Sequence, residues 1–298
     1  GGYQLLVGLG GGSPMDVAKG AAVLATNGGS IRDYAGIELI PREGLPTILI
    51  PTTAGTGSEV TQNAIFAFKD EKVKKGVVSR YLLPKVAIID PLLTLSCPPK
   101  ITAASGVDAL VHAIESYTAR RATPHTDIYA LEAVRLISSS LRAAVFNGGD
   151  LEAREKMAMG SFFAGVSLAN AGVGAVHALA YPLGGRFGVS HGVSNALLLA
   201  PVMEFNCVSS LPKFARIAEA MGEPVGGKSL REAAMLAVKA VRELVQDVGI
   251  PQSLREVGVS EGDIAQLAAD AEKQTRLLSN NPRAMTREDI EAVYRKVL

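Results

Sequence analysis

Four side chains in this sequence have the types and spacing to hold a metal ion. Asp108 and His112 stand four residues apart in DALVH, and His177 and His191 stand fourteen apart in HALAYPLGGRFGVSH. The chain has only four histidines, so three of them fall in these two stretches. On a helix, a spacing of four puts both side chains on one face. Three imidazoles and one carboxylate form a nitrogen-and-oxygen donor set suited to a divalent transition ion, with Fe2+ and Zn2+ both open. Taken singly, each histidine has a plainer alternative, a hydrogen-bonded residue of the core. The surroundings favour the shared ion, because they are small and apolar, and an unpaired polar group there costs about 1–3 kcal/mol. His125, in RATPHTD, reads as an exposed loop residue and stays outside the set.

Two glycine-bearing loops supply a second chemistry. GLGGGSPMDVAK follows a strand-like run and opens a helix. Ser13 is expected as the N-cap, Pro14 at the first helical position and Asp16 as the acid of a capping box. Gly10, Gly11 and Gly12 allow close backbone approach, and a helix start of this kind holds a phosphate through its free N–H groups. A tight, well-capped turn with no ligand is the alternative. The stretch departs from the GxGxxG dinucleotide fingerprint, with Ser13 in place of a third glycine and no acid about 20 residues later. PTTAGTGSEVTQN, residues 51–63, offers the hydroxyls of Thr52, Thr53, Thr56 and Ser58 beyond a second strand. Ligands of open α/β sheets bind at such strand ends.

The elements that must position these residues divide the chain into two textures. Residues 5–10, 47–52, 64–68 and 86–90 are short, branched and bounded by Gly or Pro, as strands are. A helical run separates the first two, so a parallel sheet covered by helices is expected, and FAFKDEKVKKGVVS reads as a polar-tipped hairpin. Beyond Pro98-Pro99 strand signals fade. TDIYALEAVRLISSSLRAAV places Ile128, Leu131, Val134, Leu136 and Leu141 on a helical stripe, and SLREAAMLAVKAVRELVQDVG ends at Gly249. The reading is an α/β fold: a partial Rossmann-like parallel-sheet domain over 1–98, then an all-helical domain over 99–298.

Bulk properties exclude other classes. Hydrophobic residues are 48% and charged residues 20% of 298, which is a soluble globular balance. A net charge of +1 without a basic block points away from nucleic acid and from anionic membranes. No apolar run approaches a membrane span. Cys97 and Cys207 form no CxxC pattern, and no signal peptide is read at the start, which together suit a cytoplasmic protein.

Four motifs in order resemble the iron-containing (group III) alcohol dehydrogenases: GGGSPMDVAKG, PTTAGTGSEVT, LLPKVAIIDPLLTLSCPPKITAASGVDALVHAIESY and GAVHALAYPLGGRFGVSHGVSNALLLAPVMEFN. The likeness runs from residue 4 to the closing NPRAMTREDIEAVYRKVL. It implies a dehydroquinate synthase-like fold, with an α/β dinucleotide-binding domain facing a helical domain across the site. It also implies metal ligands at Asp108, His112, His177 and His191. Gly11, Gly12 and Ser13 match the pyrophosphate turn, Asp16 is counted among the cofactor-binding residues, and Thr52, Thr53, Thr56, Asn63 and Lys74 match the positions around the nicotinamide ribose and adenine side. The activity implied is hydride transfer between NAD or NADP and a small alcohol or aldehyde, aided by Fe2+ or Zn2+, in a homodimer or larger homo-oligomer.

Two departures carry expectations of their own. Tyr181 stands where the family has a histidine held to relay the alcohol proton, and a phenol of reference pKa about 10 is a poorer shuttle near neutrality. The family also has further β-α units before GGGS, on the order of 30 residues each. The chain opens inside a strand-like run, so a missing N-terminal part is expected, and with it the residue that selects NAD over NADP. A metal-binding remnant without cofactor binding is the rival this raises. A polyol-phosphate or dehydroquinate synthase-type enzyme ranks lower, because Arg186 is the only basic residue offered near His177. The metal-free maleylacetate reductases lose ground because all four ligand positions are kept.

Overall fold

The structure, a computed structural model, describes residues 2–68, 70 and 73–298, the side chains of Val73 and Lys74 excepted. In chain order it runs β1 (Leu6–Gly10), α1 (Gly12–Asn27), β2 (Gly36–Ile37), β3 (Thr47–Pro51), β4 (Asn63–Phe68), β5 (Val73–Val78) and β6 (Val86–Ala87). Helices follow: α2 (Pro99–Thr118), α3 (Pro124–Phe146), α4 (Leu151–Ala171), α5 (Ala175–Phe187), α6 (His191–Cys207), α7 (Leu211–Ala220), α8 (Leu230–Asp247), α9 (Ile264–Glu272), α10 (Thr275–Leu278) and α11 (Arg287–Arg295).

The strand-like runs pair as a parallel sheet of order β1-β3-β6. β1 and β3 are in register from Leu6–Thr47 to Gly10–Pro51, so both end at one edge. Leu49 at the centre of β3 is fully buried. The run VAIID makes a shorter strand than its composition suggests. Asp90 accepts a hydrogen bond from the Leu92 N–H and turns the chain into a 3-10 turn over Pro91–Thr94. The hairpin forms as β4 and β5, antiparallel, but it belongs to a second sheet of order β2-β5-β4 that the sequence reading did not separate.

The helical part packs as layers around one large core. From Gly106 to Thr118 every residue of α2 is buried, so α2 is the central helix and shows no one-sided stripe. α3 departs from its expected stripe at Ile128, which is 68% exposed. Its buried face is set instead by Thr126, Ala130, Ala133, Ile137 and Leu141. Ile128 lies two residues off that series, hence on the other side of the helix. α8 is followed by Gly249 at φ 75°, as its sequence predicts, and it begins with a Ser229–Glu232 capping box. His125 is exposed, in the first turn of α3 rather than in a loop. Among the described residues no single helix is long and apolar enough to cross a membrane.

The start of α1 corrects one reading. The helix begins at Gly12, its N-cap is Gly11, and no side chain caps it. Asp16 is not a capping-box acid. Its carboxylate accepts from Ser58 Oγ at 2.6 Å and from the Ile65 N–H at 2.9 Å. Partners brought by β4 and the loop before it outcompete the local cap, so Asp16 acts as a strut between α1 and the sheet.

Candidate metal centre

Asp108 and His112 lie one turn apart on α2, the most buried helix, with 3% and 4% exposure. His177 sits in the first turn of α5 and His191 is the first residue of α6. α6 can start against α2 because position 192 is glycine: a Cβ there would lie 2.3 Å from the Ala104 carbonyl oxygen. The four residues come from three helices and offer ligand atoms that all lie within 4.8 Å of one another. His191 Nε2 is 3.7 Å from Asp108 Oδ1, and His112 Nε2 is 4.0 Å from Asp108 Oδ2. A tetrahedron of 2.1 Å bonds places its ligand atoms about 3.4 Å apart, so small side-chain shifts close this set on an ion. Asp108, His112 and His177 are buried and the His191 side chain is 37% exposed, so access is from the His191 side.

The electrostatics suit a cation. Burial pushes the Asp108 carboxyl up, but His191, His112, His177 and the Asn195 amide outweigh it and hold it below its ordinary value. Burial pushes the His112 imidazole down, against the opposing pull of Asp108. An ionised carboxylate and a neutral imidazole are the forms that bind metal. Asn195 Nδ2 lies 2.6 Å from Asp108 Oδ1 and 3.2 Å from the Nε2 atoms of both His177 and His191. One amide nitrogen thus faces an Asp108 carboxylate oxygen and two imidazole nitrogens, a crowding of potential ligand atoms that suits a cation. The buried Asn195 Oδ1 has no partner among the described residues.

The imidazoles are oriented from behind. His112 Nδ1 lies 3.2 Å from the Gly55 carbonyl oxygen, which only accepts, so the proton is on Nδ1 and the Nε2 lone pair faces the cluster. His177 Nδ1 donates to Glu115 Oε2 at 2.6 Å, with the same result. Second partners of this kind fix the tautomer of metal-binding histidines. Glu115 and Asn195 escaped the sequence reading although a signal exists. Glu115 follows Asp108 by seven and His112 by three, on the same helix face, and Asn195 follows His191 by four.

Tyr181 lies one turn after His177. Its ring is edge-on to His177 at 6.5 Å and tilted 32° to His191 at 6.1 Å. Burial pushes its hydroxyl pKa up, with Arg276 partly opposing. Among the described residues that hydroxyl has no hydrogen-bond partner.

The two glycine-bearing loops meet beside this centre. β1 and β3 end side by side, and the Thr52 N–H donates to the Gly10 carbonyl. Gly11 packs on Thr53 and Gly12 on Thr56, where a Cβ at position 12 would come within 2.7 Å of Thr56 Cγ2. Gly11, Gly12, Ser13, Thr52, Thr53 and Thr56 are thus brought together at one sheet edge. Asn63 opens β4, and its carbonyl accepts from the buried Lys19 ammonium at 2.8 Å. Asp16 is turned away to Ser58 and β4. The side chain of Lys74 lies outside the described residues. Arg186 is paired with Asp270 at 2.7 Å. A groove of about 490 Å3 between α6 and α8 is lined by none of these residues.

Sequence comparison accounts for nearly the whole chain. Residues 1–91 match the sequence model described as "Iron-containing alcohol dehydrogenase", and residues 102–298 match "Fe-containing alcohol dehydrogenase family, C-terminal". Long-chain-alcohol dehydrogenase 1 of Geobacillus thermodenitrificans is 48% identical over 295 residues, covering 98% of this chain and 74% of its own. The crystal structure of a 1,3-propanediol oxidoreductase superposes with a TM-score of 0.96 at 44% identity, covering 99% of this chain and 77% of that one. A sulfoacetaldehyde reductase from Bifidobacterium kashiwanohense, solved in complex with NAD+, superposes at 0.87 with 34% identity, covering 99% and 76%.

Proposed function

The chain belongs to the iron-containing alcohol dehydrogenase family, and from that premise we propose that it interconverts a small alcohol and its aldehyde by hydride exchange with a nicotinamide dinucleotide. The observation that carries this reading is the convergence of Asp108, His112, His177 and His191 beside the loop that touches α1. Those four residues are assigned as the ligands of a divalent ion, iron by family and zinc by the same donor chemistry. When bound, the ion supplies Lewis-acid polarisation of the substrate oxygen.

The chain's own residues do the rest. The backbone N–H groups of Gly11, Gly12 and Ser13, at the start of α1, hold the pyrophosphate. Thr52, Thr53 and Thr56 line the path from that turn to the metal centre, and Gly55 in the same loop touches His112. That contact ties the loop to the proposed ligand set and supports a nicotinamide site beside it. Asn63 and Lys74 are assigned to the remainder of the cofactor, and Asp16 supports it indirectly by bracing α1. Tyr181 stays protonated at neutral pH, so it serves the substrate oxygen as a hydrogen-bond donor rather than a base. NAD is the dinucleotide favoured, by analogy with the sulfoacetaldehyde reductase complex. The division of the chain at 98–99, a homo-oligomeric assembly and a cytoplasmic setting, which suits two unpaired cysteines, complete the reading.

The test joins metal analysis to cofactor titration on one preparation. One bound divalent ion per chain, NADH fluorescence that saturates, and turnover of short aliphatic alcohols that disappears on metal stripping and returns on reloading are expected. Bound metal without NADH binding favours the metal-binding remnant. Full turnover after stripping overturns the metal role.

A further inference from the structure

Glu115 is 6% exposed and engages both carboxylate oxygens. Oε2 accepts from His177 Nδ1 at 2.6 Å, and Oε1 accepts from the Val176 N–H at 2.7 Å. The second contact compensates a local deficit. α5 starts at Gly174 with no side-chain cap of its own, so its first N–H groups need outside acceptors. Glu115 reaches across from α2 to provide one, and Asn281 Oδ1 accepts from the Ala175 N–H at 3.3 Å. Glycine at 174 leaves the room: a Cβ there would lie 3.1 Å from Asn281 Oδ1 and 3.3 Å from Glu115 Oε1. One carboxylate therefore sets both the start of the helix that carries His177 and the turn of the His177 ring.

Resting on the metal-dependent reading above, we propose that Glu115 is a positioning residue that governs ion affinity through His177. Only a carboxylate meets both demands, because both of its oxygens accept. In Glu115→Gln the amide fails either way round. With its oxygen toward His177, its NH2 faces the Val176 N–H, donor against donor. With its NH2 toward His177, Nδ1 must accept, the proton moves to Nε2, and the lone pair needed for the ion is lost.

The experiment has three parts. First, metal affinity of wild type, Glu115→Gln and Asn281→Ala is measured by competition with a coloured chelator, using Zn2+ and Co2+, with the visible Co2+ spectrum recorded. Glu115→Gln is expected to weaken binding by about 10- to 100-fold and to shift the Co2+ bands. Asn281→Ala removes the other acceptor at the same helix start. It is expected to lower the melting temperature of the metal-free protein while leaving affinity and spectrum close to wild type. Second, Glu115→Asp, which keeps the charge, is expected to recover part of the affinity. Third, 15N NMR of histidine-labelled, metal-free wild type, in which only four histidines contribute, is expected to show His177 protonated on Nδ1. This last measurement needs no variant to fold. Affinity of Glu115→Gln equal to wild type, an equal loss in Asn281→Ala, or an Nε2–H tautomer overturns the proposal. Wild type that holds no ion overturns the functional reading instead.

Discussion

Within the ligand set, His191 differs from its companions in exposure and in origin. The other three candidate ligands are buried on helices packed from several sides, whereas His191 begins α6 with part of its side chain in the open. Replacing it by Ala removes one of four donors without opening a core cavity. His191→Ala is expected to fold with wild-type circular dichroism and to lose retained metal and turnover together; metal content at the wild-type level would remove His191 from the site. Tyr181 makes a separate prediction. Its hydroxyl has no internal partner to lose, so Tyr181→Phe leaves stability and metal content unchanged. If the hydroxyl donates to the substrate oxygen, kcat/KM falls about tenfold, the worth of one hydrogen bond of about 1.5 kcal/mol. An unchanged kcat/KM would leave Tyr181 only a packing role. Asp16 shows where residue-level reasoning stops, because Ser-x-x-Asp is a cap pattern only when no distant donor competes for the carboxylate.

At the scale of elements, α1 is held to β4 by a buried charge cluster. Lys19, 1% exposed, donates to the Thr61 and Asn63 carbonyls, each at 2.8 Å, with Asp16 and Glu59 as the nearby acids. Burial pulls its pKa from 10.5 down to about 8, against the opposing effect of those acids. Between those two values the unfolded chain holds a proton that the folded chain has released. Stability from this group therefore rises with pH across the window, by about 3 kcal/mol. Lys19→Met is expected to cost about 1–3 kcal/mol at neutral pH, because the Thr61 and Asn63 carbonyls lose their buried donor. Urea unfolding at both ends of the window checks the sign: wild type should gain stability relative to its own lower-pH value, and Lys19→Met should lack that increment. An equal pH response in both proteins would assign the titration elsewhere.

For the molecule as a whole, the metal centre is a junction. Its four candidate ligands come from α2, α5 and α6, and the Gly55 carbonyl joins the loop after β3 to His112. An ion that binds only when these segments are assembled stabilises the whole by mass action, by about 2.7 kcal/mol at one hundred times Kd. Chelator treatment is expected to lower the melting temperature by several degrees and reloading to restore it. An unchanged melting curve would show that the four side chains are already satisfied without an ion.

Much of this was legible in the linear chain for definable reasons. Strand-like runs bounded by Gly and Pro, the capped α8 and the i,i+4 pair Asp108–His112 depend on local sterics and helical periodicity, which travel with the sequence. The four candidate ligands were readable as a possible donor set in apolar surroundings and as what the family resemblance implies, and the family itself by motif order. The rest depends on neighbours far away in the chain. Whether Asp16 caps a helix or braces a sheet is decided by Ser58 and Ile65. Which way His177 points is decided by Glu115 on another helix, and which face of α3 is buried is decided by its packing rather than by Ile128. Hydrogen bonds and burial form between segments that only folding brings together, so the tertiary structure alone gathered the four candidate ligands into one cluster and set the ring protons of His112 and His177.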